Sequence, residues 1–324
     1  MFNRDKLDIK PLLERKHDLH ISIIQDLVKR ETWRKYKGIK EISRRIILAR
    51  EKGSSTVFMM GAHVIRSGVQ QYIIDLIKRG YISCIAMNGA GIIHDFEFSL
   101  IGATTESVAR YIKEGQFGLW KETGYLNDII NRAYKEDKHA GMGTSIGKYI
   151  EESGFPYKAI SILASAYRYA VPVTVHVGIG YDIIHEHPNC DGASTGALSY
   201  NDFLTFVSVI QNLEHGVVMN FGSAIMAPEV YLKALSMARN IACQEGREIK
   251  HFSTMVCDLI NLPDNIQYEP SKDEPAYYFR PFKTMLIRTV ADGGESFYIR
   301  GSHSETIPAL WTCIGEMEEH GTDN

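Results

Sequence analysis

The sequence contains no CxxC pair. Its five cysteines, Cys84, Cys190, Cys243, Cys257 and Cys313, are odd in number and widely spaced. That argues against a disulfide framework or a cysteine-built zinc site and points to a reducing compartment. No apolar run approaches the roughly 18 residues of a membrane-spanning helix. The opening stretch, MFNRDKLDIKPLLERKHDLH, has no apolar signal core. A cytoplasmic protein with no membrane partner is the expectation. Basic charge is not in excess either: 36 Lys and Arg stand against 39 Asp and Glu, for a net charge of −3. Without a strong basic field, no nucleic-acid partner is expected. Low-complexity tracts, solenoid-type repeats, GxGxxG and HExxH are all absent.

What is present suits a globular α/β chain. The 324 residues are 44% hydrophobic and 23% charged, enough for a full core. Residues 1–54 read as a polar N-terminal helical extension, with helical spacing over 39–53 and a stop at Gly53. Residues 55–324 read as the main domain. Residues 55–68 give an apolar strand and a loop at Gly61, 69–80 an amphipathic helix, and 81–91 another strand and a small-residue loop. This βαβ rhythm predicts a mostly parallel sheet flanked by helices on both faces. It continues through a helix and strand at 158–180 and a helix, strand and glycine loop at 203–225. A helix follows over 228–242. Residues 250–259 read as a strand-to-loop passage, and 284–290 and 295–301 as late strands.

Three features could carry chemistry. Strand ends run into small residues at 59–63, 87–91, 219–224 and 252–254. In an open parallel sheet, ligands bind at the carboxyl ends of strands, and small residues let the backbone approach them. One such loop is more often only a tight turn; four together favour a nucleotide site. The segment HVGIGYDIIHEHPNCDG (176–192) holds His176, Asp182, His185, Glu186, His187 and Asp191. Even read as a strand, the segment lacks the helical HExxH ligand spacing, so it suits a pocket or interface and no metal is expected. Lys283, finally, lies between Phe282 and an apolar run. A lysine at a strand start is usually solvated. One desolvated by aromatic neighbours can be an imine-forming nucleophile.

HVGIGYDIIHEHPNCDGAS, NFGSAIMAPEVYLKALS and RPFKTMLIRTVADGGESFYIRG make the chain resemble the deoxyhypusine synthase family, and its bacterial deoxyhypusine-synthase-like branch in particular, over about residues 55–312. The resemblance implies a Rossmann-like fold with bound NAD, and a homotetramer with sites at subunit interfaces. It assigns NAD binding to Gly61, Ala62, His63, Ser67, Asn88, Gly89, Ala90, Gly91, Gly222, Ser223, Ser253, Thr254 and Asp258. It makes Lys283 the imine-forming lysine, and Asp182, His185, Glu229 and Glu295 the binders of a cationic amine.

The implied chemistry is NAD-dependent transfer of an aminoalkyl group from a polyamine such as spermidine. The family's Trp-Gly-Lys-Ile is here Pro-Phe-Lys-Thr, and its late Gly-Asp is Gly301-Ser302. An altered amine pocket favours a small acceptor, giving a homospermidine-type or guanidino-polyamine product. A lysine of a translation factor is the alternative acceptor, and a non-catalytic NAD- or polyamine-binding protein the alternative class.

Overall fold

The computed structural model describes residues 2–263 and 265–320. Its elements, in chain order, are β1 (His17–His20), α1 (Ile39–Lys52), β2 (Thr56–Met60), α2 (His63–Arg66), α3 (Gln70–Lys78), β3 (Cys84–Met87), α4 (Gly89–Ile101), β4 (Ala103–Glu106) and α5 (Val108–Glu114). Next come α6 (Tyr125–Glu136), α7 (Met142–Glu152), α8 (Ile162–Arg168), β5 (Val173–Val175), α9 (Gly192–Ile210), β6 (Val217–Phe221) and α10 (Met226–Gln244). The last are β7 (Ser253–Asp258), α11 (Pro275–Tyr278), a π-helix (Phe282–Arg288), β8 (Glu295–Arg300) and α12 (His303–His320).

Apolar runs such as Val57-Phe58-Met59-Met60 have no polar alternation, so both faces of a strand must be covered. They are: six strands form one parallel sheet in the order β5-β3-β2-β6-β7-β8. Numbered by appearance within the sheet, this is 3-2-1-4-5-6. The order reverses between β2 and β6, which makes that crevice the switch point of a Rossmann fold. Alternate residues serve opposite faces. Phe58, Met60, Ile85, Met87 and Phe221 pack under α1, α3, α4, α8 and α12. Val57, Met59, Cys84, Ala86 and Val218 pack under α9, α10 and the π-helix. Phe58 stacks on Phe221 with ring centroids 4.5 Å apart, fastening β2 to β6 beneath the crevice. Truncating either ring would cost about 3–5 kcal/mol.

The N-terminal region departs from the expected helical extension. Only α1 is a long helix; the rest is 3-10 turns and β1, which pairs antiparallel with β4. Buried anchors draw this polar stretch in. Leu12 packs with Tyr111 and Trp120, and Ile39, Ile42 and Ile46 of α1 join the main core. Residues 284–290 likewise form most of the π-helix rather than a strand. A seven-residue apolar run does not distinguish a buried strand from a buried helix. Here two hydroxyls cap carbonyls of the widened turns: Thr254 Oγ1 donates to Met285 O at 2.8 Å and Ser296 Oγ to Leu286 O at 2.7 Å.

Candidate functional site

The loops that follow β2, β3 and β6 meet along the carboxyl edge of the sheet, and those after β7 and β8 extend it. At the switch point the backbones of Gly61 and Gly222 touch: a Cβ on Gly61 would lie 2.7 Å from Gly222 O. Gly222 has φ of +66°, and a Cβ there would collide with His303 Nε2. Only glycine fits both positions, and the crevice floor is therefore bare backbone. Beside it, the Asn88 side chain caps α4 by accepting from Gly91 N at 3.2 Å. Gly89 leaves room for the Asp182 carboxylate, which would clash with any Cβ there and accepts a hydrogen bond from Ala90 N. Burial raises Asp182 to about 6. Asp258 ends β7 and accepts from Leu259 N at 2.7 Å.

Gly61, Ala62, His63, Ser67, Asn88, Gly89, Ala90, Gly91, Gly222, Ser223, Asp258, Asp182 and His185 thus belong to this edge. Their side chains are not equally available. Ser67 Oγ donates to His63 O at 2.7 Å, and Ser223 Oγ accepts from Ala227 N at 3.0 Å, so both hydroxyls serve local turns. His63 is exposed beside Arg66. The segment holding His185 forms a 3-10 turn, not the expected strand. His185 Nδ1 accepts from Gly180 N and Asp182 N at 3.2 and 3.3 Å, and its Nε2 is buried without a partner.

Three expected residues lie at the opposite edge. Ser253 and Thr254 begin β7 instead of following a strand. Ser253 Oγ donates to Glu295 Oε1 at 2.7 Å, while Thr254 serves the π-helix. Glu295 begins β8 and pairs with Arg45 at 2.5 Å. Strand chemistry explains the misplacement: Ser and Thr beside a phenylalanine imitate a loop, but their hydroxyls are satisfied within the fold.

Lys283 and Glu229 share the α10 face of the sheet, across it from α4. Lys283 is 6% exposed, on the first turn of the π-helix, with Nζ 3.5 Å from the Tyr277 ring centroid. Glu229 pairs with Lys233 and, at 3.2 Å, with Arg280. The Lys233 hydrogen bond chiefly lowers its pKa, with Lys283 a smaller contributor.

Sequence reasoning passed over several groups. His303 opens α12 at the end of β8, with Nδ1 buried and unpartnered and its pKa lowered by burial. Gly301-Ser302 before it is the same small-residue signal that marked the other loops. Glu106 and Thr105 lie in a polar stretch with no distinguishing pattern, and a cavity of about 300 Å³ opens beside them, lined also by Arg66, Ala90 and Asp182. Among the described residues no group of three or more His, Cys, Asp or Glu is placed to hold a metal, and no helix is long and apolar enough to cross a membrane.

Residues 40–133 match the family described as arginine dihydrolase ArgZ-like, C-terminal, Rossmann fold. No curated protein matches the sequence. Among solved structures, the chain is similar to a conserved protein from Methanococcus maripaludis S2 provisionally named LOR/SDH, at 15% identity and a TM-score of 0.51, covering 91% of this chain and 73% of that one. It is also similar to unliganded AgrE, at 14% identity and a TM-score of 0.50, covering 90% of this chain and 34% of that one. The chain therefore spans about a third of AgrE's length. A protein from Entamoeba histolytica provisionally named a deoxyhypusine synthase aligns at 10% identity and a TM-score of 0.42, over 80% of this chain and 74% of that one. That value is too low to carry the family resemblance. What the likenesses establish is the Rossmann fold.

Proposed function

We propose that this chain is an NAD-dependent enzyme of small cationic amines that transfers an aminoalkyl group. The observation that carries the reading is the side-chain-free contact of Gly61 and Gly222 at the switch point, where a dinucleotide can lie against backbone. NAD would supply the hydride acceptor. Asp258, at the end of β7, suits a ribose hydroxyl pair. Asp182, whose carboxylate lies against the first turn of α4, would turn negative charge toward the amine. Lys283 would attack the oxidised carbon as a neutral amine, expel the donor's other amine and hold the aminoalkyl group as an imine until an acceptor amine displaces it. Return of the hydride to the new imine would complete the transfer. Its burial and its ring contact, with no carboxylate bonded to Nζ among the described residues, support that role. A small amine is the favoured acceptor over a protein lysine.

A homotetramer is proposed from the family resemblance. The apolar side chains exposed on carboxyl-edge loops, Ile179, Tyr181, Ile225 and Leu259, support cover by a second copy. A stable monomer in sedimentation at micromolar concentration would refute it.

The deciding test is mass spectrometry of products after incubation with NAD and spermidine, putrescine or agmatine. Transfer gives a new polyamine with no net NADH. Stoichiometric NADH would instead mark a simple dehydrogenase, and no product with any amine would refute the enzymatic reading.

A further inference from the structure

We infer that the cavity between α4, β4 and the 181–183 loop is a receptor for an alkylammonium chain, with Glu106 holding its charged end and Glu186 adding negative charge beside it. The inference rests on the amine reading above and assigns the amine to residues other than Glu229 and Glu295.

The charge balance comes first. Arg15 is the buried cation beside the cavity, and it is fully committed: it forms a two-pronged bond with Glu97 at 2.9 and 2.7 Å, with both side chains 1% exposed. Thr123 and Thr104 complete the Glu97 shell at 2.6 and 2.7 Å. Glu106 has no such cation. It accepts from Gly118 N at 3.0 Å and from Trp120 Nε1 at 2.7 Å, two neutral donors that fix its direction without cancelling its charge. Glu186 comes to the same glycine: a Cβ on Gly118 would lie 2.9 Å from Glu186 Oε1. Two carboxylates thus converge at Gly118, and a third, Asp182, lines the cavity toward the sheet edge. His94, also lining it, is held neutral by burial, with its pKa lowered to about 4. Arg66 at the exposed rim is the remaining cation. Glu106 is left without a cation bonded to it, and a bound cation would stabilise its charged form and those of its carboxylate neighbours.

The second observation is independent of charge. Thr105 is 9% exposed, and its Oγ1 has no hydrogen-bond partner. Its backbone is left-handed, φ +63°, a conformation disfavoured for a β-branched residue. An unsatisfied buried hydroxyl on a strained residue lining a cavity is a polar group awaiting a ligand.

The rest of the wall selects the class of cation. Ile93, Val108, Phe117 and Ile183 supply hydrocarbon between the carboxylates. A hard divalent ion needs six or more oxygens and gains nothing from such a wall. An ammonium on an alkyl chain uses both: methylene groups against the apolar side chains, N–H donors to Glu106 and Thr105, with Glu186 close by.

Calorimetry on the full chain without NAD, with putrescine as probe and butan-1-ol as its neutral counterpart, tests this. Putrescine should bind and butan-1-ol should not. Glu106→Gln and Glu186→Gln should each weaken putrescine at least tenfold, Thr105→Val severalfold, and NAD affinity should stay unchanged. Because Gln at 106 must re-form two hydrogen bonds, Glu186→Gln, whose side chain has no backbone partner here, keeps the test open should Glu106→Gln fail to fold. Equal binding of the alcohol, or unchanged putrescine affinity in folded Glu186→Gln, overturns the inference. Loss of NAD binding with putrescine binding intact would instead overturn the cofactor reading and leave this pocket standing.

Discussion

The two edges of the sheet use polar residues in opposite ways. At the amino edge, Ser253, Thr254, Glu295 and Arg45 bond to one another or to the π-helix. At the carboxyl edge, glycines leave backbone bare, Asp182 is buried against a helix start, and His303 Nδ1 and His185 Nε2 have no partner. Although Thr56 Oγ1 at the amino edge has no partner, most polar side chains there bond one another, and that edge is finished as folded. An edge of bare glycine backbone with buried, unpartnered imidazoles has been shaped for something else, since buried polar atoms are normally paired.

Lys283, on the first turn of the π-helix, carries the largest expected effect. Lys283→Ala should fold and bind NAD but lose transfer by at least about 10³-fold, the scale of removing a covalent nucleophile. Lys283→Arg should fail as completely, because guanidinium stays protonated. Borohydride added with NAD and donor amine should trap an aminoalkyl group on Lys283. An adduct mapped by mass spectrometry to another lysine would move the chemistry elsewhere.

Acid should act next most strongly, and only at the carboxyl edge. Burial raises Asp182 to about 6, and burial together with Glu106 raises Glu186 to about 7. Both are neutral when protonated, so amine affinity should be full only well above pH 7 and fall as pH drops through 7 and then 6. The decline should approach tenfold per pH unit for each carboxylate the amine requires. A putrescine titration that is flat between pH 5 and 8 would contradict the amine's dependence on these groups.

At Asp258 the effect should be smaller. Asp258→Ala should weaken NAD by about 1–3 kcal/mol, the range for hydrogen bonds to a charged group. Unchanged affinity in calorimetry would place the ribose elsewhere along the edge.

How legible all this was depends on what each residue signals locally. Val-Phe-Met-Met before Gly61 and Val-Val-Met-Asn-Phe before Gly222 announce a buried strand followed by a bare turn, because a short run with Val and Phe that ends at glycine favours a strand. The fold and most of the carboxyl edge follow from such passages. Phe252-Ser253-Thr254 sent the same signal falsely, since a hydroxyl bonded to the Glu295 carboxylate or to the π-helix looks, in one dimension, like a loop residue. Thr284–Arg288 has the length of a strand, and the hydroxyls of Thr254 and Ser296 that support its helix are distant in sequence. Glu106 and Glu186 were illegible as a pair: they are 80 residues apart, and only the backbone of Gly118 brings them together.

The amino edge supplies the smallest predicted effect and the cleanest control. Glu295 was expected to bind the substrate, yet it pairs with Arg45 and accepts from Ser253 at the far end of the strands. Both ionic side chains are more than a third exposed, so solvent screens the pair and its contribution is that of a surface ion pair, about 0.2–1 kcal/mol. Glu295→Gln keeps an acceptor for Ser253 and removes the charge. Denaturant unfolding should show a loss within that range, and NAD and putrescine affinities should match the unchanged protein. A tenfold loss of either ligand from this substitution would mean that the amino edge takes part in binding, and the division of labour between the two edges would fail.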